Sequence, residues 1–240
     1  MTIQNTVTHP DNSIWGPMYR VGAVAAIIMA VFIPLQIIIY ILKPPPDSVE
    51  GWYALFRENS LIGLLDMDLL LIVDQILLGL IILALYLAVR RRQPSLMTLG
   101  LVLTLVGTAA YFASTGAFEM LSLSNQYRSA TAADQQTVLL AAGHMVMANW
   151  QGTAFDVGYV LAGIALLLIA IAMLRSSIFG KAVAIVGLLL GIPSLLPPTA
   201  GLAGMIFSLA SLLPLEIWII LIARKLFQVT RLASVTPNYQ

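Results

Sequence analysis

The chain has 240 residues, of which 60% are hydrophobic and 10% charged, with a mean hydropathy of +0.93, a net charge of +1 and no cysteine. That balance excludes an ordinary soluble domain and describes an all-α, polytopic membrane protein. It also excludes disulfides and Cys-ligated metals, and with no basic run interleaved with aromatics, nucleic acid is not an expected partner.

A bilayer crossing needs about 20 apolar residues. Stretches 21–42, 61–89, 96–118, 153–174, 178–196 and 201–223 meet or approach that length, which predicts a bundle of six transmembrane helices in one membrane domain. The first is too long for a signal-peptide core and lacks a basic flank, so it is expected to stay as an anchor. Between the first two, Asp47 or Ser48 can cap a short helix over 48–58. Its apolar positions Val49, Trp52, Tyr53 and Phe56 recur at helical spacing, so it is expected to lie flat on the outer membrane interface. Thr131 and Asp134 have capping-box spacing and predict a second external amphipathic helix over 132–148, with a kink at Asn149 to Gly152 before the fourth span. The fifth span is short and ends at Pro193, Pro197 and Pro198, which predicts a tight hairpin turn through Gly201 into the sixth.

Lys and Arg set the orientation, because short cytoplasmic loops retain them. Arg20, Arg90, Arg91, Arg92, Arg175, Lys181, Arg224, Lys225 and Arg231 fall on one side of a six-span path and only Lys43, Arg57 and Arg128 on the other. Both termini are therefore expected in the cytoplasm, with Trp15 and Tyr19 at the inner interface. Gly187 and Gly191 form a small-xxx-small face, which serves close packing within a bundle more often than a seam between copies.

Ionisable groups in or beside apolar spans mark where function sits. Six carboxylates qualify, Asp66, Asp68, Asp74, Glu119, Asp156 and Glu216, and no Lys or Arg lies among them. Counting outward from the basic end of each span makes Asp66 and Asp68 interfacial and submerges Asp74, with Gln36 at the same depth on the first span. Thr115, Glu119 and Ser122 share one face at i, i+4, i+7, as do Asn149, Thr153 and Asp156. Asp66 and Asp68 point to opposite sides of their helix. The candidate ligand- or ion-binding set is thus Gln36, Asp66, Asp74, Glu119, Asn149 and Asp156, lining an outward-facing acidic pocket. Glu216 stands apart beside Pro214, as a proton carrier or as a neutral carboxyl bonded across helices.

With only His9 and His144, a catalytic zinc lacks ligands, whereas oxygen-rich surroundings suit Ca²⁺, Mg²⁺ or protons. No cofactor is evident. The expected function is binding of a cation, a proton or a polar lipid head group for transport, sensing or lipid handling. The alternatives are a carboxylate-based, metal-assisted lipid hydrolase and an accessory subunit of a larger membrane complex.

Segments Gly158 to Leu161, Leu174 to Gly180, Val186 to Gly191 and Leu215 to Leu226, with Arg20 to Gly22 near the start, carry a likeness to a known family. From Gly152 through Phe227 the chain resembles domain-of-unknown-function family 4386, mainly bacterial membrane proteins. The family's usual histidine on the fourth span is absent between Phe155 and Val160. The resemblance implies a six-helix bundle in a bacterial inner membrane, and no established activity.

Overall fold

A computed structural model describes residues 14–176 and 178–235, the last four of these for their backbone alone. Every described element is helical. The order is α1 (Gly16–Leu42), α2 (Val49–Glu58), α3 (Ser60–Leu64), a π-turn (Leu65–Leu69), α4 (Leu70–Val89), α5 (Pro94–Ser114), α6 (Ala117–Ser129), α7 (Ala133–Trp150), α8 (Thr153–Ser176), α9 (Lys181–Gly191), a 3₁₀ turn (Pro193–Leu195) and α10 (Gly201–Val235).

Five helical runs are long and apolar enough to cross a membrane: Gly16–Leu42, Ser60–Val89, Pro94–Ser129, Ala133–Ser176 and Gly201–Arg231. This is the fold of a helical membrane protein. The stretch expected as a fifth span is shorter, because Pro193 turns the end of α9 into 3₁₀ helix. Together the two pieces reach about 22 Å, against about 30 Å of hydrocarbon. After the predicted proline turn, Gly201 adopts a φ of 69° as α10 begins, and Gly180 precedes α9 with a φ of 82°. Both angles lie in the left-handed region that favours glycine.

The long elements form a closed ring, α1 on α4, α4 on α5, α5 on α8, α8 on α9, α9 on α10, and α10 back on α1. Its core includes Ala23, Ile81, Leu85, Ile169, Met173, Phe179, Trp218 and Ile222. Tyr19, expected at the interface, is fully buried in that core, while Trp15 carries the Arg90 guanidinium 5.6 Å above its ring. Lipid supplies no hydrophobic drive between helices, so small residues that admit close backbone approach do the work. The α5–α8 seam sets backbone against backbone: a Cβ on Gly158 would come within 2.8 Å of the Gly107 carbonyl oxygen and 3.1 Å of the Tyr111 amide nitrogen. The Gly187 and Gly191 face is filled by Trp218, Ala170 and Leu167 of the same chain, which takes it away from a seam between copies.

The end of the bundle opposite the arginine cluster carries a second core. Val49, Trp52, Tyr53 and Phe56 of α2 are buried with Met67 of the π-turn and Ala117 and Met120 of α6. The stripe is therefore the expected one, but it is spent on protein and does not lie against lipid. Ser48 caps α2 by accepting from the Gly51 amide at 3.1 Å. The Tyr53 hydroxyl donates to the Leu139 carbonyl at 2.7 Å, and burial, then Glu50 and Tyr127, pushes it up to about 12. It stays a neutral donor at physiological pH. Three local expectations are corrected here. The third span stops at Ser114, where Thr115 turns extended and bonds back to the Phe112 carbonyl. The Thr131–Asp134 capping box does not form, because α7 starts a residue later with Ala132 at its N-cap. The break at Gln151 and Gly152 separates α7 from α8, so neither polar stripe predicted across 115–122 or 149–156 lies on one continuous helix.

Backbone facing backbone at the α5–α8 seam leaves nothing to yield. Gly158→Leu is expected to lower the thermal stability of the detergent-purified protein by about 1–3 kcal/mol through overpacking. Gly79→Ala, where an added Cβ meets nothing within 4 Å, should be neutral or stabilising by about 0.5–1 kcal/mol. Equal losses in both would show that the seam is not close-packed.

Candidate functional site

The site is built on the run α3, π-turn, α4. Leu61 and Ile62 donate to the Asn59 side chain at 3.1 Å each, which starts the helix, and the Leu70 amide reaches back five residues to the Leu65 carbonyl to close the π-turn. Turns of this kind are uncommon and concentrate at functional sites. Here the π-turn carries Asp66 and Asp68, and Asp74 follows one turn into α4.

All three carboxylates are buried, with Asp66 1%, Asp68 2% and Asp74 9% exposed. The first two were expected at a hydrated interface. They are enclosed because α1 flanks the run on one side and the second core covers it on the other. Asp68 accepts from the amides of Gly116 and Ala117, both at 2.6 Å. It thereby supplies from another helix the cap that α6 lacks from its own N-cap, Gly116. Trp150 donates its indole N–H to the Met67 carbonyl at 3.1 Å, pinning α7 to the same turn.

Asp74 meets the residue expected at its depth. Gln36 Nε2 donates to Asp74 Oδ2 at 2.5 Å and to the Leu70 carbonyl at 3.3 Å, tying α1 to α4. Among the described residues, neither oxygen of Asp66 has a hydrogen-bond partner, nor does Oδ1 of Asp74. Tyr40 lies within electrostatic range of all three carboxylates, and Tyr111, 7% exposed, within range of Asp68, Asp74 and Tyr40. The polar groups at this end of the bundle are thus Gln36, Tyr40, Asp66, Asp68, Asp74 and Tyr111, with Gln36 bonded to Asp74 and Tyr40 in electrostatic range of each carboxylate. Tyr40 was within reach of sequence reasoning, since it stands four residues after Gln36 on the same helical face. Asp68 was set aside because it points away from Asp66. Tyr111 carried no local signal.

Glu119 is exposed in the first turn of α6, within electrostatic range of Asp68. The remaining candidates are elsewhere. Asn149 is exposed and donates to the Ala113 carbonyl at 3.2 Å, closing the end of α5. Asp156, half-buried, accepts from the Thr199 hydroxyl and clamps α8 to the proline turn. Glu216 is half-buried on α10, and its Oε2 is buried with no hydrogen-bond partner among the described residues. His144 is exposed, and His9 lies outside the described residues. Among the described residues, no three His, Asp or Glu side chains come together to hold a metal ion. The buried carboxylates therefore do not make the multi-carboxylate cage that Ca²⁺ takes.

No protein-family model, curated protein or solved structure matches the chain.

The Asp68 cap is open to a direct test. Asp68→Leu leaves the Gly116 and Ala117 amides unpaired, a cost of about 1–3 kcal/mol, and should speed hydrogen exchange across 116–120. Asp68→Asn keeps an acceptor and should retain most of the protection. Unchanged exchange in Asp68→Leu would show that α6 is held by its packing alone.

Proposed function

We propose that this is a six-crossing membrane protein with both termini cytoplasmic, whose buried acidic cluster takes up a proton or a small cation for transport or sensing. The single observation that carries the site is Asp66, 1% exposed, within electrostatic range of Tyr40, with neither oxygen bonded by any described residue. A carboxyl taken out of water persists either as the neutral acid or with a cation beside it. Both states describe a group whose occupancy changes with its surroundings. The metal-assisted hydrolase loses support, because such chemistry needs a set of ligands around the ion and none is assembled among the described residues.

The crossing number rests on the six-element ring, with Lys181–Leu195 as a short sixth crossing beside α8 and α10. An even count brings both ends to one side. The orientation rests on the cluster of Arg and Lys at that end, and it makes α2, α6 and α7 an external cap over the cluster. Membership of family 4386, with a bacterial inner-membrane address, belongs to the same proposal and rests on the residues between Gly152 and Phe227.

Two measurements test it. Thermal stability of the purified protein, followed across pH and with Na⁺, K⁺, Ca²⁺, Mg²⁺ and tetramethylammonium, should depend on pH or on one of these cations. A cation at 100 times its Kd would contribute about 2.7 kcal/mol. Asp66→Asn should remove most of that response while the protein still folds, and a full response in both Asp66→Asn and Asp74→Asn would end the proposal. Separately, the chain has no cysteine, so single cysteines at the exposed Ser95 and Ser129 report topology without background. An impermeant reagent on intact cells should label position 129 and spare position 95. The reverse pattern would invert the orientation.

A further inference from the structure

From the basic end of the bundle toward its middle, α1, α4 and α10 border an open groove of about 670 Å³. Its walls are aliphatic: Val21, Val24 and Ile28 along α1, with Leu77 and Leu80 of α4 behind them. One charge borders it, the guanidinium of Arg20, in the first turns of α1. Arg20 is exposed and makes no hydrogen bond or ion pair with any described residue. Among the described residues no acidic side chain lines the cavity. Thr230 of α10 completes the lining but turns its hydroxyl to the Leu226 carbonyl at 2.9 Å.

We infer that this cavity is a binding site for an anionic phospholipid, with the phosphate on Arg20 and one acyl chain running toward Ile28. Three features point to that occupant. The groove opens on the face that five membrane-crossing runs turn to lipid, since Val21, Val24 and Ile28 are each more than 40% exposed. Its polarity is graded as in a lipid, with a cation at the end of the bundle and only aliphatic groups further along. Arg20 and Ile28 are eight residues apart, about 12 Å along the helix, which matches a head group at the interface and a chain in hydrocarbon. The volume falls within the roughly 300–1,000 Å³ of ligand pockets. Charge selects within the class, because a guanidinium pairs with a phosphate that carries a net negative charge, while a zwitterionic head group brings its own cation.

The test uses the full-length protein in detergent, with dioleoyl-phosphatidylglycerol, dioleoyl-phosphatidylcholine or inorganic phosphate added, read by native mass spectrometry and thermal unfolding. Phosphatidylglycerol should be retained and raise the unfolding temperature more than phosphatidylcholine, and inorganic phosphate should do neither. Arg20→Gln should weaken phosphatidylglycerol about fivefold, the share of one basic residue near an anionic head group, and bring the two lipids level. Val24→Trp should fill the groove and displace both, and Ile28→Trp, further along the same exposed face, is the second variant if the first fails to fold. Equal retention of the two lipids by the unaltered protein, an unchanged preference in Arg20→Gln, or undiminished binding in a folded tryptophan variant would overturn the assignment. Stabilisation by inorganic phosphate alone would make the site one for a free anion and would equally overturn it.

Discussion

One carboxylate sets the layout of the acidic end. Asp68 accepts from the Gly116 and Ala117 amides, and those bonds hold the chain where α5 stops and α6 sets off as a separate helix. A helix start leaves amides without partners, which in a buried position must be satisfied from outside. Because Asp68 meets that need, α6 can pack over the π-turn instead of continuing the third span outward. Its Ala117 and Met120 then complete the core that receives Trp52 and Phe56. That cover buries Met67 of the π-turn.

The same arrangement explains why a costly group is tolerated. The cluster has donors of its own in Gln36 and the two backbone amides, so Asp74 and Asp68 each keep one satisfied oxygen, while Asp66 has none. An unsatisfied buried carboxyl opposes stability, and the ring of small-residue seams around it supplies the compensating packing. Local frustration inside a well-packed frame is a common mark of a working site. Glu216 repeats the pattern singly, with one buried oxygen that no described residue bonds.

The two ends of the bundle differ in kind. At the acidic end polar groups are roofed over by α2, α6 and α7 and tied down by side-chain to backbone bonds. At the basic end the cations stay at the rim: Arg90 lies over the rings of Trp15 and Tyr86, and Arg92 donates to the Ser176 carbonyl at 2.5 Å. Arg20 has no such engagement, and it is the one that borders a groove. The two ends thus differ in charge and in cover, with buried carboxylates at one and an open groove bordered by Arg20 at the other.

Composition and hydrophobic run length were enough to determine a helical membrane protein, because a stretch of apolar residues in hydrocarbon has no other way to satisfy its backbone. The apolar stripe of α2, the Ser48 cap, the proline turn and the common depth of Gln36 and Asp74 were legible for the same reason, each being a consequence of helical period or local turn chemistry. What the stripe packed against was not legible, since an amphipathic face looks alike whether lipid or protein covers it. Nor were the breaks at Thr115 and Gly152, which interrupt both predicted polar stripes. Asp66 and Asp68 were misjudged because depth along a span says nothing about whether another part of the chain folds over it. Burial of a carboxylate is decided by contacts between residues 48 and 49 positions apart, Asp68 with Gly116 and Ala117, and only the tertiary structure brings those together.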